Sequence, residues 1–237
     1  MSLPEPNPGK SLTIEVDGRT YARYPIKTRL ITKDDDIVEV VREHTKNLLR
    51  PGDLIVISER AVAITQGRCF SLSEIKPSRL AKFLMKFVYQ HPGGIGLKSP
   101  WTMQLAIDEV GVPRILLAAL VAALTKPLGI RGMFYRVAGH DIAAIDGPCD
   151  YTLPPGNQQA KLGPKDPQKI AQKVAGALKV RVAIIDANDY GQKTLGASKG
   201  VDPKFVEKVF ADNPLGQTDE QTPLAIVRPA ERGDCHA

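Results

Sequence analysis

Residues 182–189 (VAIIDAND) carry an apolar run into carboxylates. Asp186, Asn188 and Asp189 offer hard oxygen atoms within four residues. Such oxygens suit magnesium or manganese, which typically bridge one or two carboxylates to the phosphates of a substrate. The same residue types also build turns, and the segment alone leaves both readings open. A second cluster, RVAGHDIAAIDGPCD (136–150), places Asp141, Asp146 and Asp150 in a glycine-rich context. It follows a stretch, Gly132 to Val137, that reads as a strand. Two strand ends could therefore each deliver carboxylates to one metal, the alternative being a solvated loop. His140 lies in this cluster, but the chain has four histidines and none is paired at ligand spacing.

The candidate anion-binding residues are basic. Lys27 and Arg29 follow an alternating run in YPIKTRL, and Arg60 and Arg68 flank AVAITQG. Such side chains hold phosphates by charge-assisted hydrogen bonds, although single arginines also decorate ordinary surfaces. No GxxxxGK[ST] loop, GxGxxG turn, GxSxG elbow or HExxH helix occurs. Cys69 and Cys149 lack the surroundings of a thiol nucleophile. With Cys235 they make an odd count without a CxxC pair, which argues against a disulfide framework or a thiolate zinc site. In 212–229 (DNPLGQTDEQTPLAIVRP), Gly216, Gln217, Asp219, Glu220 and Gln221 precede an apolar strand. They suit a substrate-recognition loop as well as a solvated turn.

The elements that must position these residues follow from periodicity. Residues 11–16 and TYARYPI alternate around Asp17-Gly18, which predicts a hairpin. Asp34, Asp35 and Asp36 precede IVEVVREHTKNLL, an acidic start suited to the partly positive N-terminus of a helix. LIVIS (54–58) reads as a strand buried on both faces. ERAVAITQGR alternates roughly and ends at Gly67. Helices are expected over 77–90, 101–110, 113–124, 167–178 and 203–211, with Ile115 to Leu124 buried, and strands over 180–186 and 222–228. HPGGIG (91–96) reads as a flexible loop. Residues 146–167 read as a long loop, functional or disordered. Residues 1–10, with three prolines, read as loose. The remaining 11–237 forms one unit or two interleaved subdomains. Without regular βαβ alternation, the expected class is α+β.

Composition narrows the function. Of 237 residues, 43% are apolar and 24% charged, an ordinary globular balance with enough chain for a core. The net charge of +6 is scattered and aromatics are 5%, so a small anionic ligand is favoured over nucleic acid. The N-terminus has no signal-like apolar stretch, and no run is long enough to span a bilayer, so a cytoplasmic protein is expected.

In order, these segments resemble the gamma-glutamyl ligase family of coenzyme F-420 biosynthesis over residues 23–228. RYPIKTRLITKDDDI is similar to the family's Pro-x-Lys-Thr opening. GDLIVISERAVAITQGR, IRGMFYRVAGHD, RVAIIDANDYGQ and TPLAIVRP resemble its later elements. The resemblance implies an intertwined homodimer of mixed helices and sheets that uses GTP with Mg2+ or Mn2+. It implies joining of L-glutamate to a carboxylate acceptor through an acyl phosphate. It places Asp141 on the first metal aspartate and Asn188 on the second, with Asp186 or Asp189 able to supply the charge. Lys27, Thr28, Arg60 and Arg68 would meet the nucleotide; Asp146, Asp150, Gln217 and Glu220 are substrate-loop candidates. No catalytic acid or base is assigned. The sequence departs from the family where Ala63-Ile64 replaces Ser-Lys, Gln66 replaces Glu, Arg131 replaces His, and Tyr135-Arg136-Val137 replaces Cys-Ala-Asn. These departures keep two alternatives: a non-catalytic nucleotide- or metal-binding regulator of the same fold, and a related metal-dependent phosphotransfer enzyme.

Overall fold

The computed structural model describes residues 3–88, 95–149, 153–188, 191–216 and 218–230. It divides into two compact units, one of residues 1–67 with 164–237 and one of residues 68–163.

The first unit is built on a six-stranded mixed sheet of β1 (Thr13–Val16), β2 (Arg19–Ile26), β3 (Leu54–Ser58), β6 (Arg181–Asn188), β7 (Gly191–Ala197) and β8 (Leu224–Pro229). The spatial order is β1-β2-β8-β3-β6-β7. Only β3 and β6 run parallel; the other neighbours are antiparallel. Asp17 and Gly18 both take positive φ, 52° and 76°, as the two-residue turn between Val16 and Arg19 requires.

LIVIS is apolar throughout because the sheet is covered on both faces. Ile55, Ile57, Val182, Ile184, Leu224 and Ile226 pack beneath α1 (Ile37–Thr45), α2 (Glu59–Thr65) and α8 (Pro167–Leu178). Leu54, Val56, Ala183, Ile185 and Ala225 form the opposite layer with Val206, Val209 and Phe210 at α9 (Pro203–Val209). Asp36 caps α1, accepting from Val38 N at 2.7 Å, and also accepts from Lys173 Nζ of α8 at 2.9 Å. Beside it, the Arg29 guanidinium and the Thr32 amide hold the Asp35 carboxyl well below the usual carboxylate range. Gly196 lets β7 lie against the start of α8, since a Cβ there would come within 2.4 Å of the Pro167 carbonyl carbon.

The second unit contains β4 (Cys69–Ser71) paired with β5 (Gln159–Lys161). Around them lie α3 (Arg79–Leu84), α4 (Pro100–Val110), α5 (Val112–Thr125), α6 (Met133–Ala138) and α7 (His140–Ala143). Its core includes Leu97, Met103, Ile115, Ala118 and Ile142.

Several expectations are corrected. ERAVAITQGR is helical as α2, because Ser58 accepts from Ala61 N as N-cap and the alanines favour helix. Gly132–Val137 is mostly α6 rather than a strand. Its aromatic and β-branched residues are overridden by packing against α5 between Gly132 and Gly139, both at positive φ. Asp186 to Asn188 continue β6 instead of following it, since the hairpin partner β7 pairs them with Lys193, Gln192 and Gly191. In α5 only Ile115 and Ala118 are buried, while Leu120 and Leu124 are 57% and 65% exposed. Residues 3–10, expected to be loose, are tied down: Asn7 is buried, and Lys10 Nζ donates to Asp212 O at 2.8 Å. Within 146–167, a 3-10 turn at Gly156–Gln158 and β5 interrupt the expected loop. Most of HPGGIG lies outside the described residues.

Candidate functional site at one end of the sheet

Strand directions bring several candidates to one edge. Ile26 pairs with Leu224, Leu224 with Ile57, and Ser58 with Ile185. The carboxyl ends of β2, β3 and β6 therefore lie beside the amino end of β8. Ligands of mixed α/β sheets commonly bind outside strand carboxyl ends, where side chains converge without interrupting the ladder. This rim carries Lys27 and Thr28 after β2, Arg60 after β3, Asp186 and Asn188 on β6, and Glu220 before β8.

Strand alternation sets where the oxygens point. Asp186 and Asn188 continue the face that Val182 and Ile184 bury beneath α2 and α8, so they share one side. Both are half-buried. Asn188 Oδ1 accepts from Gly191 N at 3.1 Å, which fixes the amide. Lys193 stands opposite Asp186 in the register.

The basic and hydroxyl groups are held from the other side of the rim. Lys27 is exposed and forms no ion pair among the described residues. Thr28 is 5% exposed, and its Oγ1 is buried with no hydrogen-bond partner among the described residues. A buried hydroxyl left unsatisfied is costly and uncommon. Glu220 accepts from Thr218 N at 2.8 Å and presses against Gly216, where a Cβ would fall 2.3 Å from the Glu220 carboxyl carbon. Arg29 is committed to Asp35 and Glu43 at 2.6 and 3.5 Å, away from any ligand role.

Other candidates belong to the second unit or lie outside the described residues. Arg68 belongs to the second unit, where it donates to Glu109 at 2.8 Å and to Gly163 O at 2.5 Å. Asp146, also in that unit, accepts from Gly147 N and bridges Lys161 through its backbone. Asp141 falls in α7, but its side chain and that of His140 lie outside the described residues, as do Asp150, Asp189 and Gln217. Among the described residues no three His, Cys, Asp or Glu side chains gather at metal-binding distance.

Two residues have partners that the sequence does not announce. Gln66 donates to Lys165 O at 2.9 Å and accepts from Lys165 N at 2.7 Å. Only an amide does both, so the Glu-to-Gln departure has a structural use. Gln221 donates through Nε2 to Thr28 O at 2.8 Å, and its own carbonyl accepts from Thr28 N at 3.1 Å. No local pattern announces that pairing across 193 residues.

The family model of F420-0:gamma-glutamyl ligases matches residues 25–190, from the end of β2 to just past β6. The uncharacterized protein MJ1361 of Methanocaldococcus jannaschii is 27% identical over 165 residues, covering 68% of this chain and 54% of that protein. The chain thus spans about half the length of this curated relative.

Proposed function

The chain belongs to the F420-0:gamma-glutamyl ligase family, and from that premise we propose that it joins L-glutamate to a carboxylate acceptor at the expense of GTP. The observation that carries the reading is the gathering of Lys27, Thr28, Asp186 and Asn188 on one sheet end. Hard oxygens and a cationic donor together match what a metal-bound triphosphate needs.

The donors fit a divalent cation of the magnesium type. Asp186 supplies a carboxylate and Asn188 an amide oxygen on the same side of β6, with Asp189, next in the chain, as a further candidate. One or two protein oxygens suffice for such an ion, because phosphate and water oxygens complete its shell. When bound, the cation neutralises charge on the transferring phosphoryl group. Lys27 presents an ammonium to the phosphates, and Thr28, buried beside it, holds the chain that carries it. Arg60 contributes positive charge from the start of α2. The acceptor carboxylate oxygen attacks the γ-phosphorus as the bond to GDP breaks. The amine of glutamate then attacks the acyl carbon, loses a proton, and phosphate departs. The substrate candidate Gln217 stays within this proposal, as does Glu220, whose neighbour Gln221 bonds the main chain of Thr28.

A homodimer acting in the cytoplasm completes the reading. Among the described residues no helix is long and apolar enough to cross a membrane. Sedimentation as a single 25.8 kDa chain would contradict the dimer.

A second reading, a nucleotide-binding regulator without turnover, is favoured by one observation. Ala63, standing where the family has a Ser, is fully buried, and neighbouring Ile64, standing where it has a Lys, packs against the core. Turnover separates the readings. With GTP, Mn2+, glutamate and an acceptor, the ligase forms GDP and amide in equal amounts, and GDP formation stops without acceptor. Binding without consumption supports the regulator. Phosphate release without acceptor supports a phosphotransfer or hydrolytic enzyme.

A further inference from the structure

The loop entering β8 is held in a conformation that local sequence disfavours. Gln221 lies at φ 58°, a left-handed backbone that long side chains rarely adopt. Asn213, at the start of the same loop, lies at φ 49° and is fully buried, and Gly216 lies at φ 72°. Strain of this kind persists where surrounding contacts over-determine the chain.

The contacts responsible run in one connected series. Asn7 Nδ2 donates to Pro214 O at 2.9 Å and to Thr222 Oγ1 at 2.8 Å. Thr222 Oγ1 in turn donates to Leu215 O at 2.7 Å. Asn7 and Thr222 are 8% and 7% exposed, so these bonds are shielded from water. The N-terminal segment thus straps the loop, and the strapped loop fixes Gln221.

Gln221 spends both its carbonyl and its amide nitrogen on the main chain of Thr28. That arrangement satisfies the Thr28 N–H and C=O and leaves only the hydroxyl without a partner. With Thr28 pinned inward, Lys27 is turned to the outside by the alternation of extended chain. A glycine at 221 would adopt the same φ without strain. The amide bond to Thr28 is what a glycine would lack.

We infer that Gln221 is a positioning residue for phosphate binding, setting the Lys27–Thr28 rim through its paired bonds to Thr28 and strapped in place by Asn7. This rests on the ligase reading, in that the bound group is a metal-associated nucleotide. Gln221 touches no reacting atom; it acts through Lys27 and Thr28.

The test compares wild type, Gln221→Gly and Gln221→Met by calorimetric titration of GTP in the presence of Mn2+, with thermal unfolding of each protein free of ligand. Gln221→Gly removes the amide and relieves the backbone, so its ligand-free midpoint stays equal to wild type or rises. Its affinity for GTP falls about tenfold, the worth of one hydrogen bond. Gln221→Met keeps the left-handed backbone and side-chain length but has no donor, and it loses affinity by a similar factor. It also serves as the second probe if the glycine variant fails to fold. Wild-type affinity in either folded variant overturns the inference and leaves the ligase reading standing. Absence of GTP binding by wild type overturns both.

Discussion

Asp186→Ala is expected to lower metal-dependent amide formation at least a hundredfold, the upper loss typical of removing even an outer-shell partner of a bound metal. The ligand-free protein should unfold within ~0.5 kcal/mol of wild type. Asp186 is half-buried near the end of β6, and its carboxylate makes no hydrogen bond or ion pair among the described residues. Its removal therefore leaves no buried partner stranded, and the fold has little reason to respond. Function has every reason to respond, because Asp186 is the described carboxylate on the β6 face shared with Asn188. Asp186→Asn supplies the informative companion. It keeps shape and one neutral oxygen, so it should retain nucleotide binding at raised Mn2+ while losing turnover at low Mn2+. Steady-state rates across a Mn2+ series check both variants. An alanine variant with wild-type rate and Mn2+ dependence would remove Asp186 from the metal site.

Asp53→Ala acts through stability, with an expected loss of about 3–5 kcal/mol. Asp53 and Arg228 form an ion pair at 2.7 Å with side chains 2% and 5% exposed. Asp53 Oδ2 also accepts from Arg50 N at 2.8 Å, and Arg228 Nη2 donates to Leu48 O at 2.9 Å. Arg228 lies over the Tyr24 ring at 5.2 Å, and its Nε and Nη1 already lack partners. Deleting the carboxylate therefore strands a charge whose remaining satisfaction is thin. Replacing both partners with apolar residues, as in Asp53→Leu with Arg228→Met, should recover most of the loss because no charge is then buried. Urea unfolding of the single and double variants checks this. A loss below about 1 kcal/mol for Asp53→Ala would mean the pair behaves as an exposed one.

The parts of the fold that could be read from sequence are those whose signals are local. Asp17-Gly18 between alternating runs, the all-apolar LIVIS, and Asp36 before IVEVV each carry their physical cause within a few residues. Helix α6 could not be read this way, because MFYRVA has strand-like residues and becomes helical only against α5. Strand β7 was missed because GQKTLGA, with two glycines and few large apolar residues, forms a strand only by pairing with β6 and packing on α8. The N-terminal segment looked loose because Asn7 finds Pro214 and Thr222 more than 200 residues away.

The candidate site divides in the same manner. Lys27, Arg60, Asp186 and Asn188 were legible as residue types that follow or end strands, and the sheet order gathers them. The order itself, with β8 between β2 and β3, is a property of long-range pairing that no local window contains. Arg68 looked equally eligible by chemistry, and Gln66 stood out only as a departure from the family's Glu. Their use in holding Gly163 and Lys165 depends on partners nearly 100 residues distant. Gln221 reads as one more polar loop residue until its backbone angle and its two bonds to Thr28 are seen.

Thermal unfolding with GTP, ATP, GDP or no nucleotide, each with and without Mn2+, tests the central claim most directly. A ligand that binds only the folded state stabilises it by about 2.7 kcal/mol at a hundredfold excess over its dissociation constant. For a chain of this size that is a rise of roughly 5–10 °C. That rise is expected for GTP with Mn2+, a smaller one for GTP alone, and none with Mn2+ alone. An unchanged midpoint with every nucleotide, metal present, would contradict the ligase reading and leave the family's fold serving another ligand.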